Sequence, residues 1–427
     1  MDLTPVDVPF SAADSGEGEA AVVAELTWGQ RAMVAAMRRE RSWMPMGGHR
    51  PVPPGTTVAD VAAELRYTLE RYQSFRTRLV APQGHSAWSH QVVAASGVAR
   101  LDVAEADGSD PNDVAAVVES FYRSTTPDLT TDWPSRMAVI CQHGTPARMV
   151  AIMPHLVTDG LGAAIMIDEV TRRLTTPVEG LRPLDIVEWQ SSAAGIRQHT
   201  AALRHWERHA PSLGSFAPER DAPAPRYRKC VLESPRLAAR LPQIAARTGV
   251  DESTVLLAAY FAALSQVTGH ATIAVRQVVS NRFRRELSTV VSPITQLGLC
   301  VVDSAAGFDD VIARVARAAL PARKYAYYDP FAIPDVATAC FNDRRTTGAA
   351  ATAFGDPAKA DRPGVAEWLA PPPGPTEPLF LHADDVPGAV RLTLDVDTAC
   401  FSPAEIEAVA YGIEAVVGST PVRSEKP

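Results

Sequence analysis

Residues 153–160 of the chain read MPHLVTDG, a histidine followed after three residues by Asp-Gly. Two apolar strands are predicted upstream, within 137–153, and apolar residues recur at helical spacing downstream, over 158–174. This order predicts that His155 lies in a strand-to-helix connection, where a scaffold can hold a reactive side chain rigid and exposed. The alternative is an ordinary loop histidine, with Asp159 serving only to cap the helix that follows.

The composition is that of a globular protein long enough for more than one core. Its 427 residues favour two lobes of ordinary domain size. The formal net charge of −8 provides no overall basic field for a phosphate backbone, so nucleic acid is not expected as a partner. The five cysteines are scattered and never form a CxxC pair, which indicates neither a disulfide framework nor a zinc site and fits a reducing cytoplasm.

Neither export nor membrane insertion is indicated by the sequence. Residues 1–20 carry acidic side chains where a secretory signal needs a positive start and an apolar centre. No run of 18 apolar residues occurs, and such a run is the minimum for a membrane-spanning helix. We therefore expect a cytoplasmic protein without a membrane partner.

Upstream of the histidine stretch, the sequence alternates between helix and strand patterns. Thr27 is placed to cap a helix that runs through Met33 and Met37. The Pro- and Gly-rich stretch 45–55 interrupts this pattern, and helical spacing resumes over 57–72. Further short strands are predicted over 77–104 and a further helix over 111–123.

Downstream, a polar helical segment over 184–209 lacks a broad apolar face, as a segment bridging two lobes would. The mixed pattern then recurs, with helices predicted over 236–248, 253–267 and 403–417, strands over 272–279 and 389–396, and a loop over 346–376. The predicted organisation is an N-terminal lobe (1–178), a bridging helix and linker (179–226) and a C-terminal lobe (227–427).

The octapeptide resembles the His-His-x-x-x-Asp-Gly motif of the condensation domains of nonribosomal peptide synthetases. Chloramphenicol acetyltransferase and the polyketide-associated and wax-ester acyltransferases are relatives of that family. Four other segments resemble family segments in the expected order, so that the resemblance spans nearly the whole chain. They are Leu26–Arg31, Phe75–Leu79, Ser280–Gly298 and Leu392–Ser402.

The resemblance implies an α/β (α+β) fold of two chloramphenicol-acetyltransferase-like lobes, each a mixed sheet flanked by helices. The lobes are expected to form a V with a central channel and His155 midway along it. Donor and acceptor are expected to enter that channel from opposite faces. Its candidate lining residues are Pro154, Thr158, Asn281, Ser292, Thr295 and Gln296.

The same resemblance assigns roles within the motif. His155 carries the chemistry, either by accepting a proton from the nucleophile or by orienting it, and the sequence leaves both open. The backbone N–H of Gly160, at a helix start, could stabilise an oxyanion, although a glycine needed only for a turn is an equal alternative. Arg76 is expected to form a buried pair with Asp159. Pro154 replaces the family's first histidine, which leaves room for a non-catalytic member.

The implied function is that of a stand-alone condensation enzyme of natural-product or antibiotic biosynthesis. It would transfer an acyl group from a carrier-protein thioester, supplied in trans, to an amine or hydroxyl acceptor. Two alternatives stay open, a coenzyme A-dependent acyltransferase of the same superfamily and a non-catalytic recruitment module. No metal or tightly held cofactor is implied, because a phosphopantetheine arm arrives with the substrate.

Overall fold

A computed structural model of the chain describes residues 2–12, 21–81, 88–212, 216, 221–222, 224–333, 336–345, 362–372 and 374–421. The chain divides into two compact units, each containing sheets and helices. The first comprises Met1–Arg197, Ser280–Thr295 and Asp329–Phe331, and the second comprises Gln198–Val279, Gln296–Tyr328 and Ala332–Pro427.

The main sheet of the first unit is mixed, in the order β1-β6-β7-β8-β3, and only β6 and β7 run parallel. Its strands are β1 (Thr4–Ser11), β3 (Pro45–Pro51), β6 (Ser96–Glu105), β7 (Arg136–Gln142) and β8 (Thr145–Pro154). A small antiparallel sheet joins β2 (Ala21–Glu25), β5 (His90–Ala94) and β4 (Thr77–Val80) in that order.

Helices cover both faces of the main sheet. They are α1 (Trp28–Glu40), α2 (Val58–Arg71), α3 (Pro111–Ser124) and α4 (Gly160–Arg172). Two further helices follow in the chain, α5 (Pro183–Ser191) and α6 (Ala193–His209), and α6 from Gln198 onward is part of the second unit. Met137 and Val139 of β7 pack with α2 and α4, whereas Ala138 and Ile140 pack with α1 and α3. Burial on both faces explains why β7 and β8 are continuously apolar in sequence.

The second unit is built on a seven-stranded mixed sheet in the order β11-β10-β12-β14-β15-β9-β13. Its strands are β9 (Tyr227–Ser234), β10 (Thr272–Val279), β11 (Gln296–Asp303), β12 (Ala339–Asp343), β13 (Val365–Leu369), β14 (Leu379–Val386) and β15 (Ala389–Asp397). Its helices are α7 (Pro235–Thr248), α8 (Glu252–Thr268), α9 (Phe308–Lys324) and α10 (Pro403–Ser419), and α8 is buried throughout Thr254–Leu264. The predicted mixed α/β architecture is thus confirmed.

Three local predictions differ from the structure. The interrupting stretch 45–55 contains the strand β3, and the predicted loop 346–376 contains β13, although residues 346–361 and 373 of that loop lie outside the described part. The single bridging helix over 184–209 is two helices, α5 and α6, separated at Ser192. The sequence also predicts a continuous second lobe over 227–427, whereas Ser280–Thr295 belongs to the first unit because it packs on the histidine loop.

Within the described ranges, no helix combines the length and the apolar character needed to cross a membrane.

Candidate functional site

His155 lies in the short connection between β8 and α4, as the sequence predicts. Its backbone N–H donates to the carbonyl oxygen of Met44 at 3.0 Å, and the N–H of Val157 donates to Pro154 at 3.0 Å. The residue is half-buried. Two backbone hydrogen bonds therefore hold the loop on either side of the imidazole.

The imidazole of His155 is not engaged by the described part of the chain. Its Nδ1 is shielded from solvent and has no hydrogen-bond partner there. The residue as a whole is half-buried, and we expect Nε2 to be the ring nitrogen that meets a substrate.

Asp159 fixes the end of the same loop and is 1% exposed. Its carboxylate caps α4 by accepting from the Gly162 N–H at 2.9 Å. It also accepts from the Thr295 hydroxyl at 2.8 Å and from the backbone N–H groups of Ile294 and Thr295, each at 3.1 Å. Asp159 is thus a helix cap and, in addition, the anchor of the segment Ser280–Thr295.

The charge partner of Asp159 is Arg282, at 2.7 Å between Nη2 and Oδ1. Arg282 also donates to the carbonyl oxygen of Val290 at 2.9 Å. Burial alone would raise the pKa of Asp159, but the Arg282 charge and the hydrogen bonds outweigh burial and hold that pKa below its usual value. Asp159 is accordingly ionised at neutral pH.

The predicted Arg76–Asp159 pair is wrong. Arg76 is 1% exposed, and its Nε donates to the carbonyl oxygen of Ala94 in β5 at 3.0 Å. Arg76 is the last residue of a short 3-10 turn, Gln73–Arg76, which leads directly into β4 of the small sheet. The folding of Ser280–Thr295 onto the first unit brings Arg282 to the carboxylate instead. Arg282 lies in the Asn-Arg segment of the family resemblance, so the sequence held a signal for it.

Most of the six candidate channel residues have structural roles. Asn281 is fully buried, with φ at 57°, and donates to the carbonyl oxygen of Ile294 at 2.8 Å. In the second unit, Gln296 exchanges two hydrogen bonds with the backbone of Tyr328, at 2.9 and 3.1 Å. These amides are committed to the protein, so contact with an acceptor stays a prediction for them.

The other four lie in or beside the histidine loop in the first unit. Thr295 donates to Asp159, and Pro154 pairs with Pro45 at the end of β8. Thr158 is fully buried, with its hydroxyl 3.3 Å from the Asp159 carbonyl oxygen. Ser292 is also fully buried, and its hydroxyl has no hydrogen-bond partner among the described residues.

Gly160 and Gly162 differ in what surrounds them. A Cβ on Gly160 would meet nothing within 4 Å, and its φ is not in the left-handed region, so no turn requires a glycine there. A Cβ on Gly162 would lie 2.3 Å from the Thr158 hydroxyl and 3.0 Å from the Arg282 guanidinium. Gly162, which sequence reasoning missed, permits the close approach of Arg282 to the loop.

Overpacking usually costs about 1–3 kcal/mol, and alanine in place of glycine gains about 1 kcal/mol inside a helix. Because the added methyl group of Gly162→Ala would meet both Thr158 and Arg282, we expect a net loss in the free energy of unfolding of about 1–2 kcal/mol. Gly160→Ala is the matched control, and its stability should stay within about 0.5 kcal/mol of the parent. Urea unfolding of both variants measures the difference. Equal stabilities would show that Gly162 is not tightly packed.

Comparison with known proteins places these features in a family. A family model described as "Condensation domain" matches residues 54–333. Cyclosporin synthetase of Tolypocladium inflatum is 24% identical over 284 residues, which are 62% of this chain and 2% of that protein. Phosphinothricin tripeptide synthetase of Streptomyces viridochromogenes is 27% identical over 181 residues, 38% of this chain and 15% of that protein. The chain therefore spans a small part of these relatives.

Solved structures share the fold. The condensation domain that mediates chain release from the enacyloxin polyketide synthase has a TM-score of 0.72 at 17% identity, covering 98% of this chain and 86% of that one. The X-domain from teicoplanin biosynthesis has a TM-score of 0.70 at 17% identity, covering 95% of this chain and 96% of that one. At such identities the likeness concerns the fold alone.

Proposed function

We propose an acyl-transfer function for this chain, which belongs to the condensation domain family. The substrate would be an acyl thioester on a carrier protein, and the acceptor an amine or a hydroxyl. The observation that carries the proposal is His155, whose half-buried imidazole has no hydrogen bond to the described residues and stands on a loop held by Asp159 and Met44. A rigid but unengaged imidazole is what proton transfer to or from a substrate requires.

The chemistry needs one proton carrier. A thioester is already activated, so the nucleophile attacks its carbonyl carbon and forms the new C–N or C–O bond while the C–S bond breaks. His155 Nε2 takes the proton that the nucleophile loses, and the resulting imidazolium gives this proton to the departing thiolate, which leaves as a thiol. If His155 does not act as a base, it could still orient the nucleophile by a hydrogen bond. The proposal includes both roles.

The oxyanion that forms during attack needs a hydrogen-bond donor. Gly160 begins α4, so its N–H has no partner within the helix, and the helix dipole favours negative charge there. The open space around Gly160 supports the approach of a substrate oxygen. We propose the Gly160 N–H as that donor.

No tightly bound cofactor enters this proposal. The phosphopantetheine arm of a carrier protein delivers the thioester, and coenzyme A, which carries the same arm, is the alternative donor. Both named relatives are peptide synthetases, which supports a place in nonribosomal peptide or related natural-product synthesis.

A non-catalytic recruitment module is the second candidate function, and Pro154 is the observation that favours it. Pro154 stands where the family's first motif histidine is expected, and its ring is buried at the end of β8. A structure of the teicoplanin X-domain has been solved as a complex with OxyB, a partner protein. A chain of this second type would bind a partner without turning over a thioester.

Intact-mass spectrometry of acyl-loaded carrier proteins tests the proposal. We expect the carrier to lose its acyl mass, and the acceptor to gain it, only when this chain and an acceptor are both present. Acyl-coenzyme A offered in parallel identifies the donor class. If no carrier or coenzyme A thioester is consumed while a carrier or another partner protein binds the chain, the recruitment function replaces acyl transfer.

A further inference from the structure

We propose that Arg123 is a positioning residue for His155. Its guanidinium binds the outer edge of β3, and the residue just before β3 supplies the carbonyl oxygen that holds the His155 backbone. The inference deepens the proposed function and rests on it for its catalytic meaning. The contacts themselves stand independently of any reaction.

The link to His155 is the hydrogen bond from its N–H to the carbonyl oxygen of Met44, at 3.0 Å. Met44 has φ at 51°, a left-handed backbone that is uncommon for a residue other than glycine. Its own N–H donates to the Ser42 hydroxyl at 3.0 Å. Such a conformation persists only where its surroundings enforce it, so the residues on both sides of Met44 must be held.

Arg123, in α3, holds both sides. Its backbone carbonyl accepts from the Trp43 indole N–H at 2.8 Å. Its side chain donates to the carbonyl oxygen of Pro45 at 3.0 Å and to that of Gly47 at 2.6 Å. One residue therefore contacts the neighbours of Met44 on either side.

The geometry of the sheet explains why a side chain, and not another strand, binds the backbone carbonyls of β3. Among the residues that the structure describes, β3 is an edge strand of the five-stranded sheet and pairs with β8 alone. Backbone carbonyls alternate in direction along a strand, so the carbonyls of Pro45 and Gly47 point to the same side. Both accept hydrogen bonds from the Arg123 guanidinium. The arginine fork provides two donors in a fixed geometry, which replaces part of a missing strand.

Arg123 is itself fixed by a carboxylate. Its Nε donates to Glu119 Oε1 at 2.7 Å, one helical turn away, and Glu119 Oε2 lies 2.8 Å from His49 Nδ1. Burial alone would raise the pKa of Glu119, but hydrogen bonds and charge from Arg123 and His49 lower it overall, so the carboxylate is ionised. His49 belongs to β3, which gives the helix a third attachment to that strand.

The test is hydrogen exchange of the His155 amide, read by mass spectrometry with residue-level fragmentation. We expect Arg123→Ala to speed this exchange about tenfold. This ratio corresponds to the free energy that is lost when one hydrogen bond to a charged group is removed. Arg123→Lys should fall between, because an ammonium cannot span both carbonyls as a fork does. In a working transfer assay, Arg123→Ala should lower kcat with KM little changed, because substrate contacts are untouched.

Arg173→Ala is the matched control. Arg173 also donates to two backbone carbonyls, of Ala63 and Asp60, and lies 3.8 Å from a glutamate, but it touches α2 and not β3. Unchanged His155 exchange in Arg123→Ala, or an equal increase in Arg173→Ala, would overturn the inference. A parent protein that transfers no acyl group overturns the proposed function instead, and exchange at His155 still decides whether Arg123 positions it.

Discussion

His155→Ala is expected to reduce acyl transfer by roughly 10²–10⁴-fold, the range that general acid–base catalysis commonly contributes. The fold should survive, because the side chain is half-buried in a loop and its ring makes no hydrogen bond to the described residues. The measurement is the initial rate on a verified donor and acceptor pair, together with the melting temperature. Loss of rate at an unchanged melting temperature assigns the chemistry to the imidazole.

His143→Ala is the control for this variant. His143 is exposed in the turn at the opposite end of β8, so its removal should leave the rate unchanged. His155→Gln separates the two roles still open, because an amide can orient a nucleophile but cannot take its proton. Full activity in His155→Ala would remove the catalytic assignment and favour the recruitment module.

Local signals sufficed to locate the histidine loop and several helix starts. Thr27 forms a capping box with Gln30 at the start of α1, three residues apart, and the sequence predicts that cap. His155 is likewise placed by its immediate neighbours, an apolar strand before it and a periodic helix after it. In both cases the structure depends on residues close in sequence.

The partner of Asp159 depends on residues distant in sequence. Arg282 is 123 positions away, and it reaches the carboxylate only because Ser280–Thr295 folds onto the first unit. Arg76 and Arg282 both lie in segments that resemble the family. The sequence pattern does not reveal which of the two arginines pairs with Asp159. Only the path of the chain in three dimensions decides between them.

Strand β3 was hidden for a different reason. Its proline and glycine content is typical of a loop, yet an edge strand tolerates proline because one side needs no backbone partner. Gly47 has φ at 113°, and a Cβ there would lie 2.1 Å from the carbonyl oxygen of Ala151 in β8. The residues that indicate a loop in the sequence are those that let this strand approach β8 closely, beside the histidine.

Asp159→Asn is expected to lower the free energy of unfolding by about 3–5 kcal/mol, the cost of leaving one member of a buried pair uncompensated. The change removes the charge that faces Arg282, whose side chain is 7% exposed. A catalytic base at this position would instead affect turnover alone. Urea unfolding at neutral pH measures the loss, with Asp168→Asn as the control, because Asp168 forms an exposed pair with Arg172 on the same helix. Exposed pairs contribute only about 0–1 kcal/mol.

The pH dependence of this loss identifies its cause. The pKa of Asp159 is lowered in the folded protein, so its contribution is fully present above the unfolded pKa of about 3.9 and is lost as the pH falls through the folded value. The difference in stability between the parent and Asp159→Asn should therefore shrink on acidification below that range. A difference that stays constant with pH would indicate lost packing or hydrogen bonds in place of a lost charge. If the variant is as stable as Asp168→Asn at neutral pH, Arg282 does not depend on Asp159, and the loop that carries His155 is held by other contacts.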